Sequence, residues 1–162
     1  MISIIVAIAE GNNAIGFNNK LLWSLPEDMK HFKNITTNHT VVMGRNTFLS
    51  LPKGALPNRR NVVISDVKDE TFPGCVMVTS INDAVKATEN DGEVFVMGGA
   101  SIYRQFFPIA SKLYLTLVND SPLADTYFPE IDFEQWRCIE TAKVEPDEKH
   151  KVGFRFVECT RI

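Results

Sequence analysis

The sequence predicts one α/β domain spanning residues 1–162, with a mostly parallel central β-sheet, an antiparallel C-terminal strand and short flanking helices. Two features of the chain predict this architecture. Short apolar runs, each suited to a strand buried on both faces, alternate with short helical segments, which is the pattern of a parallel sheet. The last apolar segment, 153–161, alternates apolar and polar residues instead, as an antiparallel strand near a sheet edge does.

Along the first half of the chain, the segment Ile2–Ala9 is an almost unbroken apolar run and predicts the first buried strand. The Gly- and Asn-rich stretch from Glu10 to Asn19 predicts a long loop. A helix is expected to begin at Pro26, because proline suits the first helical position and acidic residues follow it in the first turn. The strand predicted at 40–44 leads straight into a short helix at 45–51.

The second half of the chain repeats this alternation. Strands are predicted at 61–65 and 75–79, and a capping-box pattern marks the start of a helix at 81–89. The segment 93–107 contains a buried strand, two glycines and a helix, and a further apolar strand is predicted at 112–118. No internal repeat or linker interrupts the series, which supports a single domain.

Composition excludes several classes of protein. Hydrophobic residues make up 44% of the chain and charged residues 23%, as in soluble globular domains, and no apolar run approaches the roughly 20 residues of a membrane helix. The net charge of −3 and the absence of a basic stripe argue against a nucleic-acid partner. The histidines and cysteines show no metal-ligand spacing, so no metal site is expected. An odd number of widely spaced cysteines predicts no disulfide framework and a cytoplasmic location.

Candidate ligand contacts are expected where the predicted strands end. In open parallel α/β sheets, ligands bind beyond the carboxyl ends of the strands. The predicted ends lie at or near Ala7, Gly44, Ser65, Gly98 and Thr116. We therefore expect these residues to share one edge of the sheet and to border the functional site.

Two strand-to-helix junctions suggest phosphate binding. Gly98–Gly99 lies between a buried strand and a helix, where backbone N–H groups can approach a phosphate, although a tight turn needs the same residues. Arg45, Asn46 and Thr47 follow another strand, and a cation with two polar side chains suits an anion, although a helix cap with an exposed arginine is the alternative. Two such junctions in one domain favour a ligand with several phosphates.

One acidic residue lies on the wrong face of the first predicted helix. At about 100° per residue, Asp28 shares the apolar stripe with Phe32 and Ile35, where an unpaired carboxylate is costly. Trp23 and Phe32 are either core aromatics or the walls of a pocket for a flat heterocycle. A buried acid in such a pocket can accept two hydrogen bonds from adjacent N–H donors of a ring.

The segment LPNRRN carries a further candidate contact. Arg59 and Arg60 come just before the strand at 61–65, and a guanidinium can bind a carboxylate through two hydrogen bonds. A solvated basic turn is the alternative, and the residues alone leave both open.

Taken together, these segments resemble the dihydrofolate reductase family in its bacterial, chromosomal form. The segments that carry the resemblance follow the family's order along nearly the whole chain: MISIIVAIA, AIG, LLWSLPEDMKHFK, VVMGRNTFLSL, LPNRRNVVIS, VFVMGGASIY, KLYLTLV and ADTYFPEI. The resemblance implies reduction of 7,8-dihydrofolate to 5,6,7,8-tetrahydrofolate with NADPH, by hydride transfer from nicotinamide C4 to pterin C6 and protonation at N5. It also implies a monomer, inhibition by antifolates and a supply of tetrahydrofolate for one-carbon metabolism.

The resemblance further implies roles for individual residues around the substrate. Asp28 corresponds to the single active-site acid, which binds the pterin 2-amino group and the adjacent ring nitrogen, and Thr116 supports it. Trp23 and Leu21 belong to the same catalytic region, and Arg59 corresponds to the arginine that binds the glutamate α-carboxylate. The apolar wall around the substrate rings corresponds to Ile5, Ala7, Met29, Phe32, Leu51 and Leu56.

For the cofactor, the implied contacts form two groups. The nicotinamide neighbourhood corresponds to Ala7, Ile15, Gly16, Asn19, Met97 and Tyr103. The phosphate and adenosine contacts correspond to Gly44, Arg45, Asn46, Thr47, Ser65, Gly98, Gly99, Ala100, Ser101 and Ile102. The segment Glu10–Leu22 resembles a mobile loop that closes over the nicotinamide, and Asp125 resembles an acid that helps to hold the loop closed. The family also places a cis peptide at Gly98–Gly99.

Around the expected 2′-phosphate of the cofactor, the chain departs from the family pattern. Arg45 remains, but Thr79 and Ser101 occupy places where some relatives have Lys and Arg, and Asp66 adds a negative charge after Ser65. We therefore expect a preference for NADPH over NADH that is real but moderate.

Two other functions compete with this one. A riboflavin-pathway reductase shares the architecture but acts on a ribosylated pyrimidine, and a nucleotide-binding module without catalysis keeps only the phosphate sites. The position of Asp28 on the helix after Trp23, with Arg59 placed for a glutamate tail, argues against the first. A binding module has no need of an acid on an apolar stripe, which argues against the second.

Overall fold

The computed structural model describes residues 1–162 and contains eleven strands and four α-helices. The strands, in chain order, are β1 Ile2–Ala9, β2 Ala14–Phe17, β3 Lys20–Leu21, β4 Thr40–Gly44, β5 Arg60–Ile64, β6 Cys75–Val78, β7 Val94–Val96, β8 Lys112–Val118, β9 Thr126–Tyr127, β10 Trp136–Val144 and β11 Phe154–Arg161. The helices are α1 Pro26–Thr36, α2 Arg45–Leu49, α3 Ile81–Ala87 and α4 Ala100–Phe106. Short 3₁₀ turns occupy Phe107–Ile109 and Phe133–Gln135. None of the helices combines the length and the apolar character that crossing a membrane requires.

Eight of the strands form the central sheet, in the order β10-β11-β8-β1-β7-β4-β5-β6. Every neighbouring pair from β8 to β6 is parallel, whereas β11 runs antiparallel to both β8 and β10. The predicted α/β class, with a mostly parallel sheet and an antiparallel C-terminal strand, is therefore confirmed. β11 is the second strand from the edge, because β10, which the sequence analysis did not predict, lies outside it.

Both faces of the inner parallel strands are buried, because successive side chains point to opposite sides and each side is covered by a hydrophobic cluster. On β1, Ile4 and Ile8 enter the largest hydrophobic cluster together with Phe106 of α4. Ile5 enters a second cluster on the other face, together with Phe48 of α2. Each such fully buried side chain contributes roughly 1.5–3 kcal/mol relative to an exposed one, which explains why these strands are continuous apolar runs.

The segment predicted as a long loop, Glu10–Asn19, contains regular structure, and this expectation was wrong. β2 and β3 form a hairpin that pairs with β9 in a separate three-stranded sheet. Asn18 and Asn19 make the hairpin turn with φ angles of 51° and 60°. Asparagine tolerates this left-handed conformation, which tight hairpin turns need at both central positions.

One expectation about cysteine was also wrong. Cys138 on β10 and Cys159 on β11 are register partners and form a disulfide bond, while Cys75 is free. The two bonded residues are 21 positions apart in the chain, so only the antiparallel pairing of the strands brings them together. The predicted helices needed smaller corrections: α2, α3 and α4 end one or two residues early, within the usual fraying of helix ends.

Candidate active site

Helix α1 turns Asp28 towards the sheet. Thr116 Oγ1 donates a hydrogen bond to Asp28 Oδ1 over 2.5 Å, and no other side chain donates to this carboxylate. Burial raises the pKa of Asp28, and the opposing effects of the Thr116 hydrogen bond and of His31 are smaller. This raised pKa agrees with the cost of placing a carboxylate on the apolar stripe, and Oδ2 is left available to a ligand.

The register of β1 and β8 places Thr116 in the same region as two expected wall residues. Ala7 is the register partner of Thr116, and Ile5 is the register partner of Tyr114. Register partners point to the same face of a sheet, so Ile5, Ala7 and Thr116 share the face beneath α1. This pairing brings Thr116 to Asp28 although the two are 88 residues apart in the chain.

Most of the apolar residues expected around the substrate rings lie on this face. Phe32, Leu51 and Leu56 pack against the cluster that contains Ile5. Met29 does not join them, because its side chain is 69% exposed. Of the residues of α1 only Thr36 is fully buried, and the apolar side chains Phe32 and Ile35 are half-buried against the cluster of Ile5.

Trp23 and Leu21 lie to one side of the Asp28 carboxylate. Trp23 Nε1 donates a hydrogen bond to Asp120 Oδ2 over 3.0 Å, and its ring packs against the cluster that contains Leu25. The Leu21 side chain is 86% exposed at the end of β3. The structure thus anchors Trp23 beside the start of α1 and leaves Leu21 at the surface.

The two arginines at the start of β5 have different surroundings. Arg59 Nη1 donates to Thr36 Oγ1 over 3.1 Å, and its guanidinium carbon lies 6.0 Å from the centre of the Phe32 ring. Partial burial lowers the pKa of Arg59. Arg60 is instead paired with Asp91. Arg59 is therefore the arginine beside the apolar wall of α1, and the charge of Arg60 is already compensated.

The two predicted phosphate junctions meet at the carboxyl edge of the sheet. The Gly44 N–H donates to the Gly98 carbonyl over 2.9 Å, and the expected cis peptide between Gly98 and Gly99 is present. A Cβ atom on Gly98 would lie 3.4 Å from both Thr47 Oγ1 and the Tyr103 hydroxyl, at a φ of 126° that side chains rarely adopt. The absence of a side chain at Gly98 therefore lets Thr47 and Tyr103 pack closely against this turn.

The remaining residues expected near the cofactor differ in exposure. Asn46 and Ser101 are exposed in the first turns of α2 and α4, whereas Ala100 and Ile102 are half-buried. The buried Tyr103 hydroxyl donates over 2.9 Å to a backbone carbonyl of β1, so this side chain supports the glycine turn from below. Among the residues expected at the nicotinamide, Met97 packs against the second cluster.

Asp125 makes two hydrogen bonds to the backbone of the segment Glu10–Leu22. The Asn18 N–H donates to Asp125 Oδ2 over 3.0 Å, and the Asp125 N–H donates to the Gly16 carbonyl over 3.1 Å. The Asn18 N–H, together with a threonine hydroxyl, lowers the pKa of Asp125. Ile15 packs against the largest cluster, and Asn19 lies exposed in the hairpin turn.

Sequence reasoning missed an acid beside Arg45. Arg45 Nε donates to the two carboxylate oxygens of Glu70 over 2.8 and 2.9 Å, and Ser65 Oγ donates to one of them over 2.7 Å. The Ser65 hydroxyl, and then Arg45, lower the pKa of Glu70. Asp66, which the sequence marked as the nearby acid, is exposed. No local pattern marks Glu70, because the loop after β5 alone brings it back to Arg45.

Sequence reasoning also missed His150. Its Nε2 accepts a hydrogen bond from the Glu27 N–H over 3.3 Å, and its Nδ1 lies 2.9 Å from Asp147 Oδ1. The neutral tautomer with hydrogen on Nδ1 satisfies both contacts. Leu25, at the cap position of α1, has no side-chain acceptor, and the His150 ring, 1% exposed, replaces it. His150 therefore caps the helix that carries Asp28.

Known proteins resemble this chain over nearly its whole length. A family model described as dihydrofolate reductase matches residues 1–161. The dihydrofolate reductase of Bacillus subtilis (strain 168) is 39% identical over 157 residues, which cover 97% of this chain and 92% of that protein. The enzyme of the same name from Staphylococcus haemolyticus is 36% identical over 161 residues, covering 99% of this chain and 96% of that protein. A solved structure of dihydrofolate reductase from Enterococcus faecalis, complexed with NADP(H) and RAB-propyl, superposes with a TM-score of 0.89 at 31% identity, covering 99% of this chain and 96% of that one.

Proposed function

This chain belongs to the dihydrofolate reductase family, and we infer that it reduces 7,8-dihydrofolate to 5,6,7,8-tetrahydrofolate with NADPH. The observation that carries this inference is the Asp28 carboxylate, which faces the sheet from α1 with only Thr116 as its side-chain donor. A buried carboxylate is costly in the free protein, and a ring with adjacent N–H donors offsets that cost. A nucleotide-binding module has no use for such an acid.

Asp28 is proposed to bind the pterin ring through its two adjacent N–H donors. The hydrogen bond from Thr116 holds Oδ1 and restricts rotation of the carboxylate, and Oδ2 is left to accept from the ring. The apolar residues around Ile5 and Phe32 pack against the flat faces of the substrate rings. Antifolates that present similar ring donors are expected to compete for the same carboxylate.

The proton at N5 is proposed to come from solvent rather than from a side chain. Asp28 is proposed to accept from the ring donors, and Glu158, a second acid on this face of the sheet, is paired with Lys112. The negative charge of Asp28 favours a protonated pterin, because an opposite charge close by stabilises the protonated form of a base. Asp28 thus raises the fraction of substrate that is ready to accept hydride.

Arg59 is proposed to bind the glutamate α-carboxylate of the substrate. It lies beside Phe32 at the outer end of the apolar wall, and partial burial strengthens a charged contact made there. The competing candidate, Arg60, is already paired with Asp91. A tail that reaches Arg59 from the Asp28 pocket passes along α1.

The residues at the carboxyl edge of the sheet fit NADPH. The Gly98–Gly99 turn is proposed to receive the phosphates, and Arg45, which is paired with Glu70 in this structure, is proposed to bind the 2′-phosphate. When bound, NADPH supplies the hydride. The hairpin of β2 and β3, tied down through Asp125, is proposed to shield the nicotinamide from water.

We further propose that the protein works as a monomer in the cytoplasm. Asp28, Thr116, Arg59 and Arg45 all belong to one chain, so the site needs no partner subunit. A cytoplasmic location follows from the need for a continuous supply of NADPH, which the cytoplasm regenerates. Light scattering of the purified protein tests the first statement and cell fractionation tests the second.

Absorbance at 340 nm tests the proposed reaction. We expect the absorbance of NADPH to fall only when dihydrofolate and the protein are both present. The control is the same mixture with a ribosylated pyrimidine of the riboflavin pathway in place of dihydrofolate, which is expected to give no change. Oxidation of NADPH by the pyrimidine alone contradicts the assignment of substrate, and no oxidation with either compound indicates a binding module.

A further inference from the structure

The contact between Glu70 and Arg45 places a carboxylate where the cofactor's 2′-phosphate is expected. Glu70 accepts hydrogen bonds from Arg45 Nε and from Ser65 Oγ, and its side chain is only 14% exposed. Glu70 is the sole side-chain acceptor for both donors. Arg45 and Ser65, which the family resemblance assigns to the cofactor, are therefore already bound to an acid of the chain itself.

From this geometry, and given the proposed function, we propose that Glu70 is a specificity-determining residue that sets the ratio of NADPH to NADH binding. NADPH carries a phosphate dianion at the ribose 2′ position, whereas NADH carries a hydroxyl there. A carboxylate repels the phosphate and accepts a hydrogen bond from the hydroxyl, as acidic residues do in NAD-binding sites. Glu70 thus weakens the binding of NADPH and favours that of NADH.

The hydrogen bond from Ser65 indicates that Glu70 competes with the 2′-phosphate and does more than orient Arg45. A Glu70 that served only to orient Arg45 would need no contact with Ser65. Here the Ser65 hydroxyl donates its single proton to Glu70 and cannot donate it to a phosphate at the same time. Glu70 therefore occupies both donors of the subsite, and NADPH has to displace it from at least one.

The other side chains expected around this subsite do not compensate for the added charge. The Thr79 hydroxyl donates to Asp83, and the Ser101 hydroxyl accepts from Gln105. Arg45 is thus the only cation among the residues expected at the 2′ position, and its charge is matched by that of Glu70. A phosphate entering the site meets no excess of positive charge.

Glu70→Gln tests the proposal, because glutamine keeps the size of the side chain and removes the charge. Quenching of tryptophan fluorescence on titration with NADPH and with NADH gives both dissociation constants without turnover. We expect NADPH to bind about tenfold more tightly and NADH to bind less tightly, so that the ratio of the two constants changes by more than tenfold. Glu89→Gln is the matched control, because Glu89 is an exposed acid without a side-chain partner, and the ratio should stay at its wild-type value.

Two results would overturn the proposal. Weaker NADPH binding in Glu70→Gln would show that the acid supports Arg45 instead of competing with the phosphate. An unchanged ratio of the two dissociation constants would show that Glu70 does not affect the choice between the two nucleotides. A wild-type protein that binds both nucleotides but leaves dihydrofolate unreduced would refute the proposed substrate and not the role of Glu70.

Discussion

Replacing Asp28 with asparagine tests the central feature of the proposed mechanism. The change keeps nearly the same shape, so Thr116 can still donate to the side-chain oxygen that it contacts over 2.5 Å. What disappears is the negative charge that favours a protonated pterin. The binding of NADPH depends on Arg45 and on the Gly98–Gly99 turn, and it should be nearly unchanged.

The expected loss in rate follows from the role of the carboxylate. Groups that assist proton transfer typically contribute about 10²- to 10⁴-fold. Hydride transfer in Asp28→Asn at neutral pH should therefore be slower by a factor in this range, which corresponds to a barrier higher by roughly 2.7–5.5 kcal/mol. Lower pH should restore part of the rate, because dihydrofolate that is already protonated in solution needs no help from the carboxylate.

The same substitution has a predictable effect on stability. Burial raises the pKa of Asp28 above its ordinary value of 3.8, so the folded state binds this proton more tightly than the unfolded state does. The contribution of Asp28 to the free energy of unfolding is therefore most favourable below pH 3.8 and falls as the pH rises towards the raised pKa. Asp28→Asn should raise the melting temperature of the ligand-free protein at neutral pH, and the difference should shrink in acid.

The rate of single-turnover hydride transfer, measured against pH for the wild type and for Asp28→Asn, tests this role of Asp28. The wild-type rate should fall at high pH, and the Asp28→Asn rate should already be low at pH 7 and rise in acid. The melting temperature provides the control for folding. If Asp28→Asn transfers hydride at the wild-type rate at pH 7, the mechanism is wrong, Asp28 is only structural, and Glu27 becomes the next acid to test.

Further substitutions address the other contacts. Arg59→Ala should weaken the binding of dihydrofolate by about 1.5–3 kcal/mol through loss of a charge-assisted contact and spare NADPH; an unchanged substrate dissociation constant would move the tail site elsewhere. Arg45→Ala should collapse the NADPH/NADH ratio of kcat/KM, and a surviving preference would mean that another group binds the phosphate. Asp66→Ser should raise that ratio by less than Glu70→Gln, because Asp66 is exposed; an equal or larger effect would contradict this ranking. His150→Ala should lower the free energy of unfolding by about 2–4 kcal/mol through loss of a helix cap and a buried ring, which thermal unfolding would measure, and an unchanged melting temperature would show that the cap is dispensable.

The parts of the fold that the sequence predicts well are those with a strong local pattern. β1, β4 and β8 are buried on both faces, so each has a largely apolar sequence that can be recognised without knowing which strands it pairs with. β10 was missed because most of its residues are exposed and carry no such run. The hairpin of β2 and β3 was missed because its strands are short and depend on pairing with β9.

The candidate site likewise contains one residue that local sequence identifies and several contacts that it does not. Asp28 could be identified from the sequence, because a carboxylate on an apolar stripe is costly, and that cost is visible from helical periodicity alone. Its pairing with Thr116 came only from the family resemblance, and the structure places the two side chains in contact. The capping of α1 by His150 and the contact between Glu70 and Arg45 were decided by tertiary structure. Local sequence determines which residues favour a strand, a helix or a turn, and which of them are costly to bury. Hydrogen bonds between residues far apart in the chain depend on strand register and loop path, which arise only when the whole core packs.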